Sequence, residues 1–140
     1  MTNHTSVLGA LDAFWATLRR QAERDPAFAA QLARALSIPT EIRNEKKCSL
    51  VVCLSHLGYK MSDGEMSDLV MAPQTKDIDV IIGGHTHTFL NEPTILKNQA
   101  GKSVIINQAG WGGASLGRLD FRFDRVSKKV YFESQAVPVQ

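Results

Sequence analysis

Three of the chain's four histidines stand where an apolar run gives way to glycine. His85 and His87 lie in Gly83-Gly84-His85-Thr86-His87, directly after Ile78-Asp79-Val80-Ile81-Ile82. His56 lies in Ser55-His56-Leu57-Gly58, directly after Ser49-Leu50-Val51-Val52-Cys53-Leu54. Imidazole is the commonest side-chain ligand of transition metals, so the chemistry on offer is divalent-metal binding. Glycine permits positive φ and close backbone approach, either of which lets imidazoles one residue apart turn towards neighbouring points. On an extended backbone they would face opposite ways. A His-x-His pair by itself is equally well explained by two solvated loop residues.

The elements around the histidines favour the metal. Each apolar run, rich in β-branched residues and closed by glycine, has the pattern of a buried strand. The residues between the runs can form a crossover helix, which makes a βαβ unit, and a right-handed crossover puts both strand ends on one edge of a parallel sheet. Ligands of open α/β sheets bind in the crevice beyond those carboxyl ends. Three histidines therefore converge there.

Three blocks taken in order, Leu54-Ser55-His56-Leu57-Gly58, Asp77 to His87, and Ile106-Asn107-Gln108-Ala109-Gly110-Trp111-Gly112 with Leu116-Gly117-Arg118-Leu119-Asp120, closely resemble the C-terminal half of the metallophosphatase domain of 5′-nucleotidases. These are calcineurin-like metallophosphoesterases, and the resemblance runs from about Glu45 to the C-terminus. It implies an α/β fold, part of a metallophosphoesterase α/β/β/α sandwich with a mixed sheet. It also implies divalent metal ions of the Mn, Zn, Fe or Mg class, two in the intact family, with His56 and His85 on one ion and His87 on the other. The substrate it implies is a nucleotide or other phosphoester small molecule. Asn107 and Trp111 are then candidates for contact with substrate, with packing of Trp111 under the histidine loop an equal alternative.

The family's first half supplies further signatures that do not occur here: an Asp-x-His, a Gly-Asp carrying the bridging carboxylate, and an Asn-His-Glu or Asn-His-Asp. His4, in a polar terminus, reads as solvated. The carboxylates nearest the histidine blocks in sequence are Asp63, Asp77, Asp79 and Glu92. Two-metal hydrolysis needs a bridging group and enough ligands to clamp both ions. A 5′-nucleotidase-like hydrolase that is truncated or chimeric, and impaired, is the expectation. Sugar nucleotides, cyclic nucleotides or a sulfur ester are alternative substrates. The non-enzymatic alternative is a small α/β module that binds a partner through a helical hairpin.

That hairpin belongs to a segment of different composition. Residues 1–45 contain no lysine and nine of the fourteen alanines, whereas the remainder contains all eight lysines and nine of the ten glycines. This shift divides the chain into a helical segment, 1–44, and the metallophosphatase-like segment, 45–140. Thr5 or Ser6 can cap a helix carrying Leu8, Leu11, Phe14, Trp15 and Leu18 at helical spacing. Asp25-Pro26 then caps a second helix from Ala27 to Leu36 with Phe28, Leu32, Ala35 and Leu36 on one face, and Pro39 is expected to end it. Packing between helices or on the sheet is the plainer reading of Phe14, Trp15 and Phe28.

Beyond the first strand, Met66, Leu69, Val70 and Met71 suggest a short helix ended by Pro73. Thr94-Ile95-Leu96 and Ser103 to Asn107 suggest a hairpin, as do Leu116 to Phe123 and Val130 to Val137, with Arg118, Asp120 and Arg122 on a solvated face. Gly110-Trp111-Gly112-Gly113 lacks the spacing and the following helix of a dinucleotide loop. Cys48 and Cys53, five apart in an extended run, read as free thiols.

With 140 residues, 44% hydrophobic and 21% charged, the chain suits one compact domain. A net charge of +2 without a basic cluster excludes a nucleic-acid footprint, and no apolar run reaches a membrane span. The N-terminus carries no secretory signal pattern, although relatives in the family are often periplasmic or exported. If the hairpin leaves sheet surface uncovered, self-association through an exposed sheet edge is expected.

Overall fold

A computed structural model of the chain describes Arg20, residues 23–62 and residues 65–139. The first arm of the expected hairpin, with Phe14 and Trp15, lies outside the described residues, as do His4, Asp63 and the side chains of Phe28, Leu32, Ala35 and Leu36.

Helix α1 spans Pro26–Glu45. Its start follows the sequence signal: the Asp25 carboxylate accepts the Ala27 N–H at 3.0 Å, and Pro26 occupies the first helical position. Its end does not, because the helix runs through Pro39. An interior proline removes a helical hydrogen bond and costs about 3 kcal/mol, so something must hold the last two turns. Tertiary anchors supply it. Thr40 donates to Asp77 at 2.7 Å, and Arg43 donates to the carbonyls of Cys48 at 2.9 Å and Asp77 at 3.2 Å while pairing with Asp79.

The main sheet has four strands in the order β1 (Val52–Leu54), β2 (Val80–Ile82), β4 (Ser103–Asn107), β3 (Thr94–Lys97). The first three are parallel and β3 is antiparallel on the edge. Between β1 and β2 lies a short α-helical turn, α2 (Asp68–Met71), which tightens at Pro73 into a 3₁₀ turn over Ala72–Gln74. Register puts Cys53, Ile81 and Ile106 in one row across the sheet. That face packs against Ala72, Leu69, Met71 and Tyr59, and Ile81, Val104 and Ile106 are fully buried. The β-branched residues of β2 and β4 thus form the core.

Strands β5 (Ser115–Phe123) and β6 (Val130–Pro138) pair as a separate hairpin. Asp124 holds its turn by accepting the N–H groups of Val126 at 2.8 Å and Ser127 at 3.0 Å. Phe121 and Phe132 face each other across it and, with Ile95 and Ile105 of the main sheet, line a cavity of about 220 Å³. Arg118 pairs with Asp120 and Arg122 with Glu133 on the exposed face, so that face is solvated as its polarity implies. Cys48 and Cys53 are free thiols. No helix among the described residues is long and apolar enough to cross a membrane.

Candidate metal centre

Because β1, β2 and β4 are parallel neighbours, the residues that follow them emerge side by side: Ser55-His56 after β1, Gly83 to Thr88 after β2, and Gln108 after β4. The ladder extends one step past the strands, with Ser55 N–H donating to Ile82 O and Gly83 N–H to Asn107 O, both at 2.9 Å. His56 and His85 face each other edge-on, their ring centres 5.4 Å apart at 66°. Two imidazoles binding one ion through nitrogens about 2.1 Å away, at a tetrahedral angle, have ring centres about 5 Å apart. The observed separation is close to that spacing. His87 turns elsewhere and stacks on Trp111, with ring centres 5.9 Å apart at 21°. Among the described residues no three His, Cys, Asp or Glu side chains gather closely enough to complete a metal site.

The glycines serve by close approach rather than by φ. Positive φ falls on the histidines themselves, 70° at His85 and 52° at His87, whereas Gly83 and Gly84 have none. A Cβ on Gly83 would lie 2.1 Å from Asp68 Oδ2, and one on Gly84 would lie 3.1 Å from His56 Nδ1. A side chain on Gly83 would collide with the Asp68 carboxylate, and one on Gly84 would press on the His56 ring. Gly58, at φ 94°, is needed on both counts, since its Cβ would sit 2.7 Å from Thr86.

Of the carboxylates nearest in sequence, Asp77 and Asp79 lie at the opposite end of β2, engaged with Thr40, Arg43 and the Val51 N–H at 2.7 Å. They belong to the anchor of α1. Of the two substrate candidates, Asn107 is buried at the end of β4 and Trp111 is 65% exposed. Trp111 thus lies against a histidine and open to solvent at once.

Comparison with known proteins finds relatives that match part of the chain. The chain is 37% identical over 83 residues to the trifunctional nucleotide phosphoesterase YfkN of Bacillus subtilis, which covers 59% of this chain and 5% of that protein. It is 31% identical over 87 residues to the 5′-nucleotidase of Rattus norvegicus, covering 53% of this chain and 14% of the other. In three dimensions it superposes on the 5′-nucleotidase precursor of Thermus thermophilus with a TM-score of 0.61 and 31% identity, over 74% of this chain and 22% of that one. The chain carries part of a 5′-nucleotidase-like domain. The mixed α/β sheet of this 5′-nucleotidase-like part has the fold that the motifs imply. It spans at most about a fifth of the length of these relatives. No family model matches the chain.

Two residues that hold the histidine loops together escape a reading of the sequence. Gln108, 2% exposed, donates to Gly84 O at 2.7 Å and accepts from Thr86 Oγ1 at 3.1 Å and from the Thr88 N–H, so one amide clamps both sides of the histidine loop. Asp68 is fully buried at the start of α2, taking a hydrogen bond from the Ser55 hydroxyl on one oxygen while the other finds no partner among the described residues. Burial pushes its carboxyl above the ordinary range, and the Ser55 hydrogen bond pulls it partly back. Burial, followed by the charge of Asp68, also raises the Cys53 thiol. Nothing in Ser67-Asp68-Leu69 marks the aspartate as interior, since Asp before an apolar run normally signals a solvated helix start.

Proposed function

We propose that the 5′-nucleotidase-like part carries the histidine side of a dinuclear phosphoester hydrolase site, with His56 and His85 binding one divalent ion and His87 directed to a second. The observation that carries this reading is the edge-on pair of imidazoles, 5.4 Å apart, at the carboxyl ends of adjacent parallel strands. Bound ions would polarise the phosphoryl group and activate a water for attack on phosphorus. The chain's own contribution is to hold three imidazoles on two adjacent loops, the second braced by Gln108, and to offer the exposed Trp111 to a nucleotide-like phosphoester, with Asn107 buried behind it at the end of β4. Among the described residues no carboxylate stands ready to bridge two ions, and bridging is what sets their separation. By itself, therefore, the chain is expected to bind metal weakly and to turn over phosphoesters slowly or not at all.

Calorimetric titration with Zn²⁺ or Mn²⁺, beside assays with an aryl phosphate and with a nucleoside monophosphate, tests the reading. Heat of binding that disappears in His85→Ala supports it. Equal binding by the native chain and His85→Ala would remove the metal assignment, and brisk hydrolysis would remove the expected impairment.

A further inference from the structure

The Asp68 carboxylate touches both histidine-bearing loops from beneath. One oxygen takes the hydroxyl hydrogen bond of Ser55, the residue before His56. The other fills the space where a side chain on Gly83, two residues before His85, would stand. The main-chain N–H of Asp68 meanwhile donates to Gly58 O at 2.8 Å, closing the same loop beyond His56. Asp68 is completely buried, and its Oδ2 has no hydrogen-bond partner among the described residues. A carboxylate in that position costs stability, because a buried polar atom left unpaired forfeits its solvation. Packing alone would be served better by an apolar side chain.

We infer that Asp68 is a positioning residue that sets the spacing between the His56 and His85 rings. The inference rests on reading these histidines as a metal pair, but its first readout needs no metal. The Ser55 hydrogen bond fixes where the chain leaves β1, the carboxylate's bulk fixes how closely the Gly83 backbone approaches, and the ring separation follows from the two. Supports of this kind behind metal-binding histidines typically change metal affinity by about 10- to 100-fold when removed.

The experiment uses the full chain, metal-free, and reads the nuclear Overhauser contact between the His56 and His85 ring protons. Native protein and Asp68→Asn, which keeps the side chain's volume and an acceptor for Ser55, should show the contact. Asp68→Ala and Ser55→Ala should lose it while the cross-strand contacts of β5 and β6 persist, and Zn²⁺ titration of both variants should show at least about a tenfold loss of affinity. Should Asp68→Ala fail to fold, Ser55→Ala carries the comparison. A contact that survives in Ser55→Ala and in any folded Asp68→Ala overturns the inference. A native chain that binds no Zn²⁺ yet shows the same pattern of ring contacts would remove the metal reading and leave the positioning role standing.

Discussion

His85 and His87 hold left-handed backbone conformations, which for a residue with a Cβ cost roughly 1–2 kcal/mol each. The surroundings have to impose them. Gln108 and the Thr86 hydroxyl, which also accepts the Tyr59 N–H at 2.9 Å, do so by bonding the loop on either side of each histidine. Replacing Gln108 with Ala leaves the Gly84 carbonyl and Thr88 N–H without it, and denaturant unfolding should show a loss of about 1–3 kcal/mol. A change within a few tenths of that unit would mean that the clamp is dispensable. Asp68 adds a dependence on pH. Its carboxyl is raised above the ordinary 3.8 by burial, so folding favours the protonated form. Below the unfolded-state value the group imposes no penalty, and stability falls as pH climbs from about 3.8 through the raised folded value. Melting temperatures of the native chain and Asp68→Asn should therefore diverge over that window, the native falling relative to the variant. Parallel curves would show that the carboxyl titrates as if exposed.

At the level of elements, strands β3 to β6 lie where their patterns put them, because alternation and turn residues are local properties. Strands β1 and β2 are three residues each, shorter than their apolar runs. Prolines proved the least local signal. Pro39 does not end α1, since contacts to Asp77 and Asp79 outweigh its preference, and Pro73 converts the end of α2 to a 3₁₀ turn without sending the chain away. The central position of β2 carries the largest packing consequence. Ile81, fully buried between β1 and β4, should cost about 2–5 kcal/mol on truncation to Ala, measurable by urea unfolding. A cost below about 1 kcal/mol would contradict a core centred there.

For the molecule as a whole, the uneven matter is cover. Among the described residues strand β1 is an edge of the main sheet, and Leu54 and Val52 on it are 83% and 47% exposed. An apolar, unpaired edge of a parallel sheet invites another strand. We expect concentration-dependent association, read by sedimentation, that Leu54→Lys reduces; a native chain that stays monomeric at high concentration would exclude it. The sequence by itself determined what is written in short-range chemistry: strands ending in histidine and glycine, their order, a resemblance to the histidine half of a two-metal hydrolase, and the cap that starts α1. Tertiary structure alone decided what depends on contacts between distant residues. It drew His56 and His85 together and His87 onto Trp111, carried α1 through a proline, sent Asp77 and Asp79 to the opposite end of β2 from the histidines, and buried Asp68 beneath Gly83. The physical reason is that a side chain's burial and partners are set by what the fold packs against it, and no pattern along the chain encodes that neighbour.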